Sequence, residues 1–308
     1  MIAGIVAYFG IRVGIIGVIF IVAGGSAIAL AISGHKTRGG DVVLFVVSLL
    51  VLAAAGTSFP TPGTSQVNYL GERTSIQVNQ IDVSATTDLG SVEVVFSSSQ
   101  SAGYEVTFSR STFFGLFPFM SGNYTFSNET SNGVLHLVAS AASADIRVTI
   151  GAGFRANVQA SSATGSVSLS SSAQQLFGSV NLSSNTGSVS ANLASATIGS
   201  LTMNTNTGSV DLTATSLAAS GAKVPIRLSA NTGSVSVHLR IPATVSMSLN
   251  ATTSLGSVSH ELPGFTISES TGTLLSASIG EVNTAGSSFI MSASTDTGSV
   301  SLDVQRLG

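Results

Sequence analysis

Past residue 160 the chain alternates apolar and polar positions in short runs, each opening just after a glycine: Val167 and Leu169, Val210 and Leu212, Val235, Val237 and Leu239, then Val300, Leu302 and Val304. A two-residue period predicts strands that bury one face. One phrase introduces these runs: Thr164-Gly165-Ser166-Val167, Thr186-Gly187-Ser188-Val189, Thr207-Gly208-Ser209-Val210, Thr232-Gly233-Ser234-Val235, Leu255-Gly256-Ser257-Val258, Ile279-Gly280-Glu281-Val282 and Thr297-Gly298-Ser299-Val300. The glycine intervals are 22, 21, 25, 23, 24 and 18 residues. Such a period predicts stacked units, each holding two or three short strands separated by corners. Weaker half-phase copies, Gly178-Ser179-Val180 and Gly199-Ser200-Leu201, fall between the main ones.

The fold class this predicts is all-β: a β-solenoid of Gly-Ser-Val repeats, 21–25 residues per coil, in which each coil lies on the last at about 4.8 Å and the inward valines form a column. Seven such coils predict a rod on the order of 30 Å. Gly165, Gly187, Gly208, Gly233, Gly256, Gly280 and Gly298 are the expected corners, where φ turns positive. Asn185, Asn206 and Asn231 each stand two residues before such a glycine and suit an amide ladder. A β-sandwich with similar turns is the alternative. Residues 66–160 read as less regular strands with a hairpin at Asn132-Gly133. They are expected to cap the repeats of residues 161–308 as the β-rich first half of the domain, with residues 60–65 as a linker.

Ahead of the linker the pattern changes to continuous apolar runs. Residues 13–33 read VGIIGVIFIVAGGSAIALAIS, uncharged and long enough to cross a hydrocarbon core of about 30 Å as a helix. A second run covers residues 42–59 after a loop carrying Lys36 and Arg38. Two spans joined by a short basic loop predict a transmembrane helical hairpin over residues 1–59. The positive-inside rule puts the loop in the cytoplasm and everything after residue 60 on the extracytoplasmic side of the cell membrane. A signal peptide would need a basic leading region and a small-residue cleavage site. Gly10, Gly14, Gly17 and Gly24 lie on a stripe of small residues suited to close helix packing, within the hairpin or between copies of the chain. Arg12 stands at the edge of the first span, where its head can reach the headgroups.

Composition agrees with two surroundings. Charged residues are 8% of the chain, mean hydropathy is +0.49, and cysteine is absent, so disulfides and thiolate chemistry are excluded. Lys36 and Lys223 are its only lysines, too few for a phosphate-neutralising stripe, which argues against nucleic acid as a partner. Residues 1–56 hold three basic residues and one acid, the remainder eight basic and thirteen acidic.

Catalytic chemistry finds little support. A glycan-cleaving β-helix would need paired carboxylates, yet the acids of the repeats share no phase except Asp211 and Asp303, at neighbouring offsets in coils far apart. His238 and His260 sit at offsets of five and four from their glycines, which sends them to opposite faces and argues against a metal site. No catalytic residue, cofactor site or metal site is expected. Phe113, Phe114, Phe117 and Phe119 form the conspicuous aromatic cluster outside the apolar runs, either core or an exposed contact loop. Four sequons, at Asn123, Asn128, Asn181 and Asn250, matter only in a host that glycosylates its surface.

Several features in order resemble a known family. These are Asp88-Leu89-Gly90-Ser91-Val92-Glu93-Val94, an inserted hairpin with Gly133-Val134-Leu135-His136-Leu137, Asp145-Ile146-Arg147-Val148-Thr149-Ile150, and then the serial Thr-Gly-Ser-Val units. Together, over about residues 65–305, they are similar to the DUF4097 putative-adhesin domains, toast-rack-like β-solenoids of bacterial and archaeal surfaces. The family often has Gly-Asp-Val where this chain has Gly-Ser-Val, so any role of those aspartates does not carry over. The resemblance implies a non-catalytic adhesion, binding or structural module. With the hairpin, the expected partners are the lipid bilayer and surface glycans or other envelope proteins. A membrane-associated envelope-stress sensor is the alternative, since some family members accompany regulatory systems; a surface glycan-degrading enzyme is a third.

Overall fold

The computed structural model describes residues 63–72, 78–98, 103–112, 123–280 and 287–307. Two compact units divide the chain, and the larger of them, Thr64–Ser111 with Pro118–Gly308, carries the strand fold. The hairpin expected over residues 1–59, the Gly10, Gly14, Gly17 and Gly24 stripe expected to pack it, and Phe113, Phe114, Phe117 and Phe119 lie outside the described residues.

Every described element is a strand. In chain order they are β1 (Gly63–Glu72), β2 (Gln80–Leu89), β3 (Val92–Ser97), β4 (Gly103–Thr112), β5 (Tyr124–Ser131), β6 (Val134–Ser143) and β7 (Asp145–Gly151). There follow β8 (Arg155–Thr164), β9 (Val167–Thr186), β10 (Val189–Ile198), β11 (Leu201–Thr207), β12 (Val210–Ala214), β13 (Leu217–Ala219) and β14 (Val224–Thr232). The last are β15 (Val235–Pro242), β16 (Ser246–Leu255), β17 (Val258–Glu261), β18 (Thr266–Ser270), β19 (Leu274–Ile279), β20 (Ser288–Thr297) and β21 (Val300–Leu307). All join one 21-stranded sheet. The all-β class read from the period-two pattern is what the described residues form.

Two parallel ladders organise that sheet. The strands after the Gly-Ser corners pair in the order β7, β3, the start of β9, the start of β10, β12, β15, β21, β17. The strands before the corners pair in the matching order β6, β2, β8, the end of β9, β11, β14, β20, β16. In the first ladder Val92, Val167, Val189, Val210, Val235 and Val300 stand in direct register, all fully buried. Val83, Val158, Val180, Leu201, Ile226 and Met291 form the equivalent column in the second. Alternation thus turns every second side chain of both ladders into one core.

The stacking order corrects the expectation that each unit lies on the one before it. The β2–β3 unit is inserted between β6–β7 and β8–β9, and the β20–β21 unit between β14–β15 and β16–β17. Near-identical units offer near-identical backbone edges, so an edge can accept a unit that is not its neighbour in sequence at only a modest extra loop-closure cost. The outermost units instead carry their own antiparallel covers. β5 folds onto β6 through the Asn132-Gly133 turn, whose φ values of 51° and 77° suit a tight hairpin. β4 covers β7, and β1 pairs with β4. At the opposite end β19 covers β16 and β18 covers β19. The ladders therefore run through residues 80–97 and 134–151, within the segment expected as a cap; the covering there falls to β1, β4 and β5. Tyr69 of β1 closes on the Phe126 ring of β5 at 4.8 Å and edge-on to Phe108 of β4, joining these covers by an aromatic cluster. Of the expected linker, Gly63, Thr64 and Ser65 open β1.

The corners explain the glycines. Gly187 has φ 145°, and a Cβ there would lie 2.2 Å from the carbonyl oxygen of Gly165 in the unit next to it. The same relation links Gly90, Gly165, Gly187, Gly208, Gly233, Gly298 and Gly256 in stacking order. Ala144 occupies this corner in the outermost unit, where no parallel unit lies beyond to meet its Cβ. Gly280, expected as a seventh corner, stands elsewhere: it follows antiparallel β19, has φ 72°, and faces the Ser246 side chain. Its Ile-Gly-Glu-Val phrase imitates the repeat without its register.

A buried hydroxyl three residues before the corner ties each unit to the next. Ser162, Ser184, Thr205, Thr295 and Thr253 donate to the carbonyls of Gly90, Gly165, Gly187, Gly233 and Gly298 at 2.7–3.0 Å. Ala230 breaks the series. Gly208→Ala is expected to cost about 3 kcal/mol, because it combines a strained φ of 146° with a clash against backbone that can move only by displacing the neighbouring unit. Urea unfolding measures it. Ser209→Ala, one residue on, should stay within about 0.5 kcal/mol, and equal losses from both would refute the corner geometry.

Candidate functional site

Outward positions of both ladders carry small polar side chains in register. Asn206 Nδ2 donates to Asn185 Oδ1 at 3.2 Å, and Asn231 Nδ2 to Asn206 Oδ1 at 2.6 Å, so these amides run as a chain along the stack. Each link uses one amide hydrogen and one carbonyl lone pair, so the chain still presents donors and acceptors to solvent.

On the first ladder the insertion of β21 beside β15 brings together residues distant in sequence. His238 Nδ1 lies 3.6 Å from Asp303 Oδ2, and Glu261 is the partner of Asp303 on the other side. Asp211 is two strands from Asp303, with β15 between them, a correction to the reading that put their units far apart. Partial burial raises the Asp211 pKa above the ordinary aspartate range, with His238 pulling it back. The carboxylates share one outward face instead of opposing each other across a cleft. His260 falls in register with inward-facing Leu302, so it and His238 do occupy opposite phases. Among the described residues no three His, Asp or Glu side chains gather closely enough to hold a metal ion.

The second ladder carries the more developed site, a concavity of about 390 Å³ across β6, β2, β8 and β9. One of its rows is His136, Asp82, Asn157 and Ser179, partners in successive strands. Asp82 is held from three directions: its Oδ1 accepts from Gln80 Nε2 at 2.8 Å and from Asn157 Nδ2 at 2.9 Å, and its Oδ2 lies 3.4 Å from His136 Nδ1. Asn157 Oδ1 in turn accepts from the Ser179 backbone N–H at 3.0 Å. Two residues along the strands a second row runs Val138, Ser84, Gln159 and Asn181. Gln159 and Asn181 are exposed, and neither side chain bonds to another described residue. A fixed polar network therefore stands beside a row of uncommitted amides. Sequence reasoning missed this groove because Asp82, His136 and Asn157 come from three strands whose adjacency follows only from the exchanged stacking order.

No family model matches the sequence, and no curated protein is detectably similar to it. Three solved structures share 10% identity with the chain. A putative cell adhesion protein from Clostridium sporogenes aligns over 79% of this chain and 100% of its own, with a TM-score of 0.47. A putative adhesin from Bacteroides fragilis aligns over 79% and 98% at 0.26, and one from Parabacteroides merdae over 78% and 95% at 0.23.

Proposed function

We propose that the chain is a membrane-anchored surface protein whose stacked units form a β-solenoid acting as a non-catalytic adhesion or binding module. The observation that carries this reading is the regular outward presentation of Ser, Thr, Asn and Gln at strand spacing on both ladders, which offers many weak hydrogen bonds to an extended surface ligand. The apolar runs at 13–33 and 42–59 supply the anchor, with the Lys36 and Arg38 loop in the cytoplasm and the strand domain outside. The bilayer and surface glycans or envelope proteins are the partners this arrangement suits, and the Gly10 to Gly24 stripe would let copies associate through their helices.

Protease added to intact cells is expected to digest the strand domain and leave a membrane-embedded fragment. Deleting the gene should lower attachment of those cells to glycan- or protein-coated surfaces. Full protection of the domain in sealed cells, or undiminished attachment, counts against the proposal.

A further inference from the structure

Resting on the binding-module reading, we infer that the groove across β6, β2, β8 and β9 is a binding site for an uncharged, hydroxyl-rich chain, a neutral oligosaccharide lying along the stack. The chemistry of its walls selects that class. No lysine or arginine lines it, which disfavours a sulfate, phosphate or carboxylate. Arg155 of β8 is not among the lining residues; its guanidinium lies against Gly178 beside Asn157, at the border of the groove and away from the Gln159 and Asn181 row. The ionisable lining groups, Asp82 and His136, face each other, and Asp82 is further restrained by Gln80 and Asn157. What remains is Ser84, Gln159 and Asn181, groups that donate and accept at once, as a sugar hydroxyl does.

Spacing points the same way. Adjacent strands are about 4.8 Å apart, comparable to one pyranose unit in an extended chain, so one sugar can meet each strand as the chain crosses the ladder. Asp82, immobilised by its three partners, adds an oriented acceptor with little ordering cost on binding.

The full-length chain in detergent would be titrated with neutral gluco-, manno-, galacto- and N-acetylglucosamine oligosaccharides and with sulfated forms of the same backbones. Binding to at least one neutral series and not to its sulfated form is expected. A Gln159→Ala, Asn181→Ala double variant should weaken that binding about tenfold or more, the loss of one to two hydrogen bonds, at unchanged Tm. Asn206→Ala, outside the groove, should leave it unaltered. Neutral-glycan binding insensitive to the double variant would overturn the groove assignment and leave the module reading standing. Binding confined to sulfated forms, or to no glycan while cell attachment still depends on the gene, would overturn the ligand class alone. Loss of both glycan binding and gene-dependent attachment would end both.

Discussion

A Val210→Asp chain is expected not to reach the native state. Val210 is fully buried in the middle of the first ladder, and its register partners Val189 and Val235 are equally buried and apolar. An ionised carboxylate placed there costs several kcal/mol even after it neutralises itself by taking up a proton, which consumes most of the roughly 5–15 kcal/mol stability of a domain. Circular dichroism and urea titration should show an unfolded or severely weakened protein. Ser209→Asp is the matched control. Its side chain points outward beside Ser188 and Ser234, and the change should be nearly silent. Similar losses from both would shift the inferred register by one residue and invert the core.

Ending the chain before residue 287 should be at least as damaging, although it removes only the last two strands. β20 is paired with β14 on one side and β16 on the other, and β21 with β15 and β17. Their removal strips Phe289, Met291, Val300, Leu302 and Val304 from the core and leaves four strand edges without partners. At roughly 1.5–3 kcal/mol for each large apolar side chain, the burial lost is about 10 kcal/mol before any gain in chain entropy. The truncated protein should be rapidly proteolysed, and a synthetic peptide of residues 287–307 added during refolding should restore protection. An unchanged Tm in the truncated form would show that β16 and β17 can close directly on β14 and β15, making the inserted unit dispensable.

The contrast between these units and the groove shows what could be read from residues alone. Alternating apolar positions announced the strands, and the Gly-Ser-Val phrase announced the corners, because both follow from local backbone geometry. A hydroxyl three residues before the glycine, at Thr87, Ser162, Ser184, Thr205, Thr253 and Thr295, was an equally plain signal for the ties between units. The order of stacking was not legible. Repetition is the reason: the valines that open the units are near-equivalent, so nothing in the phrase itself tells that Val235 pairs with Val300 and Val300 in turn with Val258. Everything that depends on that order, including the meeting of His136 with Asp82 and of His238 with Asp303, was hidden with it.

The antiparallel strands at the two ends bear on how such a protein avoids becoming a fibre. Parallel, in-register, nearly identical units at strand spacing are the arrangement by which cross-β polymers grow, each end templating the next copy. Here β4 and β5 at one end, and β19 at the other, run against the ladders, so the surfaces they present no longer repeat the pattern they cover. Among the described residues the short β17 is left as a parallel edge, and its Val258 N–H is already taken by the Gly272 carbonyl. Reversal of strand direction thus acts as chain termination, letting copies of this domain crowd together without fusing end to end.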